Sequence, residues 1–518
     1  MASISTPLDA MHYVHSRRRR PAGLDESAVR TMNPAPRRVV VVGAGLSGLS
    51  AAMHLRGAGC EVVVLEQLPY VGGLCHDLVL DGVRHESGPT VLTMPEILEA
   101  AFAALGSTMT SRLQLNRLDP AYRATYADGS IIEVRDTIAK TASSIEATCG
   151  SAEADRFIEF ADYCARLYDV TFEPFMRRSF DSPFDLLSRP LLDLLRLRGF
   201  SSMGAQVNRR LGDPRTRRLV SFQALYAGLA PAKARALYNV ITYMDIIAGV
   251  YSPIGGMSAI TTAMAAALRE CGVDIRTNTR VISVVRQGDR VTGVRVTGNE
   301  TVAADAVVLT CDPERARELL DIGPIRRRLR RSPSCVLLHL NAPSSLAGVQ
   351  AHHTIHFGEN WDRTFSELID QARPMSDPSV LVSAPAYSDP SRQSTGAQPL
   401  YVLLPCPNEQ RRALGAHVVD DIVRTGLARL GERGLALEES MIHRVVSPAH
   451  WRQDGMRAGT PFSLAHTFAQ TGPFRPNNRI RGLKQIALAG AGTVPGVGVP
   501  TSILSGELAA ERLVGAAR

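Results

Sequence analysis

Gly43, Gly45 and Gly48 stand at G-x-G-x-x-G spacing, and their surroundings decide whether that spacing carries chemistry. Before them runs Val39-Val40-Val41-Val42, a β-branched run typical of a strand buried on both faces. After them the chain is helix-prone as far as Gly57 and Gly59. In a strand–turn–helix unit the first glycine permits the tight turn and the second lets a pyrophosphate approach the backbone. The third lets helix and strand pack closely, and the helix N-terminus faces the phosphates. Glu66 ends a second apolar strand, 23 residues after Gly43. A carboxylate there accepts from ribose hydroxyls and repels a 2′-phosphate. The chemistry implied is dinucleotide binding; a bare tight turn leaves the acid and the helix unexplained.

Other residue types offer less. His352, His353 and His356 lack the H-E-x-x-H spacing and have no cysteine or acid clustered near them, so no metal site is expected. Asp245 is a lone acid in an apolar stretch; it reads either as a buried base or, by preference, as a hydrogen-bonded core acid. No Ser/His/Asp or Cys/His constellation is legible, and no catalytic residue can be assigned. Eight cysteines are scattered without a Cys-x-x-Cys pair, which argues against a zinc ribbon, an iron–sulfur site or a disulfide scaffold and for a reducing, cytoplasmic compartment.

The elements that must position these residues belong to a folded chain. With 518 residues, 45% hydrophobic and 21% charged, disordered and fibrous classes are excluded, and the length suits about three domains or two interleaved ones. Residues 1–36 have no apolar leader segment and read as a flexible extension. Residues 237–268 and 485–506 are apolar but broken by Gly and Pro, so they read as buried strand–turn–helix segments rather than membrane spans. Asp81-Gly82 and Asp128-Gly129 read as hairpin turns. A helix is expected over 258–271, strands over 273–276, 281–286, 291–296, 306–310 and 486–489, and a last helix from about Thr501. Residues 151–250 read as helical and unusually rich in Phe and Leu, with seven arginines and one acid between 196 and 218. The stretch 196–218 with 17–20 and 326–331 carries +15 against a net charge of +8, leaving the remaining body at −7. That pattern favours an anionic membrane surface over nucleic acid.

Gly72-Gly73 follows six residues after Glu66, a feature that FAD enzymes of the glutathione-reductase type use and nicotinamide domains do not need. Taken with Asp81-Gly82, Glu86-Ser87-Gly88-Pro89-Thr90, residues 251–257, residues 351–357 and the Gly/Pro-rich run 490–500, the sequence resembles the bacterial phytoene desaturases of the FAD-dependent amine oxidase superfamily. The likeness covers nearly everything from residue 37 onward, and it departs from the family pattern at Leu74, Glu86, Ile254 and Val494.

The resemblance implies an α/β protein, with an FAD-binding Rossmann-like domain of the glutathione-reductase type interleaved with a mixed β-sheet plus helical substrate and membrane-docking domain. The expected division is 37–110, 250–345 and 470–518 for FAD, and 111–249 with 346–469 for substrate. The cofactor positions it implies are Gly43, Gly45, Gly48, Glu66, Gly72, Gly73, Gly88, Pro89, Thr90, Val281, Gly492, Gly498 and Val499. A helix beginning at Thr501, with Pro500 before it, also directs free N–H groups at whatever lies ahead, as a reduced flavin would require. The implied activity is desaturation of phytoene or a related C40 precursor in carotenoid biosynthesis. Its partners would be a long apolar polyene, a membrane surface contacted peripherally, and an electron acceptor such as quinone or oxygen. Alternatives on the same fold are a carotene isomerase, a desaturase or oxidase of another polyene, and a non-catalytic isoprenoid binder.

Overall fold

The computed structural model describes residues 37–515; the N-terminal extension, with its arginines at 17–20, lies outside them. Strand β1 (Arg38–Val42), helix α1 (Leu46–Gly57) and strand β2 (Glu61–Leu65) form the opening unit. β1 lies between β2 and Ala306–Leu309, parallel to both, so its valines are covered on two faces and need no polar alternation. The sheet extends to Asp274–Arg276 on one side and to Leu483–Leu488 and the antiparallel Arg479–Ile480 on the other. The C-terminal helix Val499–Val514 packs on α1. Gly506 makes that approach possible, since a β-carbon there would lie 2.3 Å from the Ser47 carbonyl oxygen. The helix starts two residues before the expected Thr501, which puts Pro500 in its first turn, where no N–H is needed.

A second, seven-stranded sheet runs in the order Ile442–Val446, Ser334–Pro343, Ala397–Cys406, Val380–Ser383, His353–His356, Tyr122–Thr125, Ile131–Val134. Ser334–Pro343, which the sequence division groups with the FAD segments, pairs along its whole length with Ala397–Cys406 in this second sheet. The hairpin Asp77–Leu80/Val83–Glu86 turns at Asp81 and Gly82, both at positive φ (47° and 80°), as the Asp-Gly pair predicts.

The helical segment corrects one expectation. Helix Ser151–Thr171 turns Phe157, Phe160, Cys164 and Leu167 to one face, at helical spacing, and all four are buried. Phe172 and Phe180 are buried too. These side chains are core, not a docking surface. The apolar groups left at the surface are fewer and come later: Phe184 (78% exposed), Leu187 (73%), Leu192 (54%) and Leu195 (52%). The basic run is also partly consumed inside the fold. Arg215 pairs with Asp213, Arg217 donates to the Leu211 carbonyl, and Arg218 to the carbonyls of Gly358 and Glu359. In the 326–331 cluster, Arg331 is buried against Asp312 and Glu314.

Candidate active site

The glycine turn is built as its spacing demands. Gly43 has φ +106°, and a β-carbon on Gly48 would stand 1.9 Å from the Gly43 carbonyl oxygen, so helix and turn touch backbone to backbone. A β-carbon on Gly45 would meet no atom closer than 3.9 Å, which leaves the turn open to a ligand there. Gly72, at φ +115°, donates its N–H to the Ala44 carbonyl at 2.8 Å, so the second glycine pair abuts the first. Glu66 is buried, and both its oxygens accept backbone N–H groups, from Ala44 at 2.7 Å and Leu68 at 2.9 Å. The acid therefore ties the strand end to the turn, a role that the sequence reading did not foresee. Val281 is buried in a separate small sheet, two residues after Thr279, whose N–H reaches the Glu66 carbonyl at 2.7 Å.

The segment Glu86–Thr90 is held at every second carbonyl by the other sheet. His339 Nε2 lies 3.0 Å from the Glu86 carbonyl oxygen, Tyr401 Oη donates to Gly88 at 2.7 Å, and His353 Nε2 lies 3.0 Å from the Thr90 oxygen. Burial keeps His339 and His353 neutral by lowering each pKa to about 4. The carboxyl of Glu86 is buried as well, which pushes it up to about 7, and it accepts from Met257 N–H at 3.1 Å. The sequence singles out His353 only as a position where no metal is expected, and gives no signal for His339 or Tyr401. The grip joins residues about 250 positions apart, which no local pattern reveals.

The C-terminal segment supplies the other candidate contacts. A β-carbon on Gly492 would overlap Pro313, and Gly498 takes φ +132° to open the helix at Val499. Thr501 Oγ1, at that helix start, is buried without a hydrogen-bond partner among the described residues, and it lines a cavity. An orphan hydroxyl beside unpaired helix N–H groups suits the polar edge and developing negative charge of a flavin. Behind the segment, Arg475 is fully buried. Its guanidinium donates to the carbonyls of Ala491 (2.6 Å), Thr493 (2.9 Å), Gln470 and Leu464 (3.3 Å each). No carboxylate lies within 4 Å of it among the described residues, and desolvation lowers its pKa only to about 10, so it stays charged.

Gly88, Pro89, Thr90, Gly498 and Val499 share one wall of a cavity of about 690 Å³. Gly43, Gly45, Gly48, Glu66, Gly72, Gly73, Val281 and Gly492 lie outside its lining. The remaining wall is overwhelmingly apolar and comes from the helical segment and the second sheet, including Phe175, Met176, Leu191, Leu194 and Trp451. Leu187 and Phe468 both line the cavity and are exposed, so they mark its mouth. Asp245 is the sole carboxyl on the wall among the described residues. It accepts from Tyr122 Oη at 2.6 Å and Gln223 Nε2 at 3.1 Å, and burial lifts it to about 6. The hydrogen-bonded core acid of the sequence reading is thus also a cavity residue.

Residues 46–514 match the model of the flavin containing amine oxidoreductase family. The chain is 47% identical to a phytoene dehydrogenase of Streptomyces griseus over 92% of its own length and 95% of that protein's. It is 33% identical to a zeta-carotene-forming phytoene desaturase of Myxococcus xanthus, over 92% and 94%. Among solved structures, an oxidoreductase from Methanosarcina mazei has the same fold at TM-score 0.61 and 17% identity, covering 90% of this chain and 98% of that one. A G-x-G-x-x-G turn, a second glycine pair against it and a helix start facing the cavity stand in one fold with these likenesses. The chain belongs to the flavin containing amine oxidoreductases, as an FAD-dependent oxidoreductase of the phytoene desaturase type.

Proposed function

We propose that this enzyme introduces conjugated double bonds into phytoene or a related C40 carotenoid precursor. The observation that carries the reading is the cavity. It is almost free of polar lining, it is walled on one side by the segments 88–90 and 494–502, and it reaches the surface at the exposed Leu187 and Phe468. A polar substrate would leave its hydrogen-bonding groups unpaired there; a hydrocarbon loses nothing. The curated relatives at 47% and 33% identity carry the same activity in their names.

On this reading Gly43, Gly45, Gly48, Gly72 and Gly73 receive the pyrophosphate, Glu66 and Val281 the adenosine end, and Gly88–Thr90 with Gly492, Gly498 and Val499 the flavin ring. A bound flavin would supply a hydride acceptor for an allylic C–H, with a proton lost from the adjacent carbon and the electron pair passed on to a quinone or oxygen. The chain supplies the rest. Apolar walls align the polyene and exclude water, the gripped segment 86–90 keeps its place, and the helix starting at Val499 favours negative charge ahead of it. The proposed division gives 37–110, 250–333 and 470–518 to the cofactor and 111–249 with 334–469 to the substrate. No helix among the described residues is long and apolar enough to cross a membrane. The proposed site of action is the cytoplasmic membrane surface, docked peripherally by Phe184, Leu187, Leu192 and Leu195, which open the cavity toward the bilayer.

The test is incubation of the FAD-loaded enzyme with phytoene-loaded liposomes and an electron acceptor. Desaturated products absorbing in the visible are expected; recovery of phytoene, or of cis/trans isomers alone, overturns the proposal.

A further inference from the structure

Beside the cavity mouth lies a second, strongly basic cleft. Arg156, Glu159 and Arg166 project from one face of helix Ser151–Thr171, with Tyr163 between them. Arg209 and Arg210 end helix Met203–Arg210, and Arg196 and Arg198 follow the exposed Leu195. Together they enclose about 420 Å³. Carboxylates outside the cleft offset half of these guanidinium groups: Glu153 pairs with Arg156, Asp162 with Arg166 and Asp193 with Arg196. Arg198, Arg209 and Arg210 have no carboxylate within 4 Å among the described residues.

One of the three is held in place. The Arg210 guanidinium lies 3.7 Å from the centre of the Tyr163 ring and is hydrogen-bonded to Gln206. Stacking and hydrogen bonding remove the rotamer freedom that a surface arginine must otherwise lose on binding. Tyr163 is itself fixed, because its hydroxyl donates to the Leu197 carbonyl at 3.2 Å. Oriented, partly uncompensated guanidinium groups in a concave site are the arrangement that recognises a phosphate oxyanion.

The placement selects the source of that phosphate. Helix Arg189–Arg196 has Leu191 and Leu194 in the cavity wall, Leu192 and Leu195 exposed, and Arg196 at the rim of the cleft. One short helix therefore joins the apolar mouth to the basic cleft. If the leucines enter the acyl region, the arginines stand at headgroup level. We infer that this cleft binds the phosphate of an anionic phospholipid headgroup and so fixes the cavity mouth against the bilayer. The inference rests on the docking proposed above and adds its partner's chemistry.

The test compares binding of the full-length holoenzyme to phosphatidylcholine vesicles with binding to vesicles that also contain phosphatidylglycerol. Wild type should prefer the mixed vesicles. Removing two cleft charges with Arg198→Gln and Arg209→Gln should weaken that binding roughly thirtyfold, at about fivefold per basic residue near an anionic surface. Binding to phosphatidylcholine alone should not change. Arg290→Gln with Arg412→Gln removes the same charge from exposed sites elsewhere and should have no effect. An equal loss in both double variants means general electrostatics and overturns the site. Release from mixed vesicles by inorganic phosphate at matched ionic strength also overturns it, in favour of a site for free phosphate. Phe184→Ser with Leu187→Ser reads the docking separately. It should weaken binding to both vesicle types, and no effect on either would refute docking itself rather than the cleft alone.

Discussion

Arg475 offers the sharpest test of how the flavin segment is held. Arg475→Met keeps the length of the side chain and removes every N–H donor. Four carbonyl groups lose their partner, but only those of Ala491 and Thr493, at 2.6 and 2.9 Å, hold strong bonds. A hydrogen bond from a charged donor is worth about 1.5–3 kcal/mol, so the two together contribute about 3–6 kcal/mol of restraint. Against this stands the desolvation of a buried guanidinium without a carboxylate partner, several kcal/mol that methionine does not incur. The two terms are of similar size, so global stability should shift by only about 1–2 kcal/mol. The restraint on 491–493 has no such offset. Ala491 lines the cavity, and the segment leads to the helix start at Val499. We therefore expect flavin affinity to fall roughly tenfold to hundredfold, the loss of about 1.4–2.8 kcal/mol, while the fold persists. Arg475→Lys, which keeps the charge and fewer donors, should fall between. Flavin fluorescence on dilution gives the dissociation constant, and far-UV circular dichroism with a urea midpoint reports the fold. Wild-type flavin affinity in Arg475→Met would refute the argument, and so would loss of flavin only in parallel with unfolding.

Three further outcomes follow from the geometry. Gly48→Ala puts a methyl group 1.9 Å from the Gly43 oxygen and must push α1 off the turn by about an ångström, so purified protein should lose its yellow flavin colour while staying folded; full flavin content would count against the turn as the pyrophosphate site. Asp245 has its native pKa raised from 3.8 to about 6, so its contribution to stability is complete below about 3.8 and is lost as pH rises through 6, about 3 kcal/mol in all. Asp245→Asn, whose amide can pair with the unpartnered Gln223 Oε1 if that side chain flips, should gain stability over wild type as pH rises from 5 toward 7; a difference in urea midpoint that is flat with pH would refute this. Leu74 lines the cavity and packs against the cluster of Cys335, Leu337, Tyr401, Val446 and Trp451, so Leu74→Arg should cost about 2 kcal/mol and not tighten flavin binding; tighter binding would show that an arginine at 74 reaches the phosphates.

The chain's own order determined whatever depends on neighbours in sequence. The β-branched run, the glycine spacing and Glu66 specify strand, turn and helix, because each acts through backbone conformation within a few residues. Asp81-Gly82 sets its hairpin for the same reason, and the Gly/Pro run before Val499 sets a helix start. The family was legible from those local motifs taken together. Tertiary structure alone decided which side chains those motifs lean on. His339, Tyr401 and His353 hold the carbonyls of 86, 88 and 90, and Arg475 holds those of 491 and 493, across contacts that only the packed sheets create. It also decided the fate of the greasy, basic segment. Composition marks residues 157–218 as one surface, but helical periodicity and packing send Phe157, Phe160 and Phe180 inward and leave Phe184, Leu187, Leu192 and Leu195 exposed. Burial depends on which face meets a neighbour, and that is settled when distant elements pack, not by residue type.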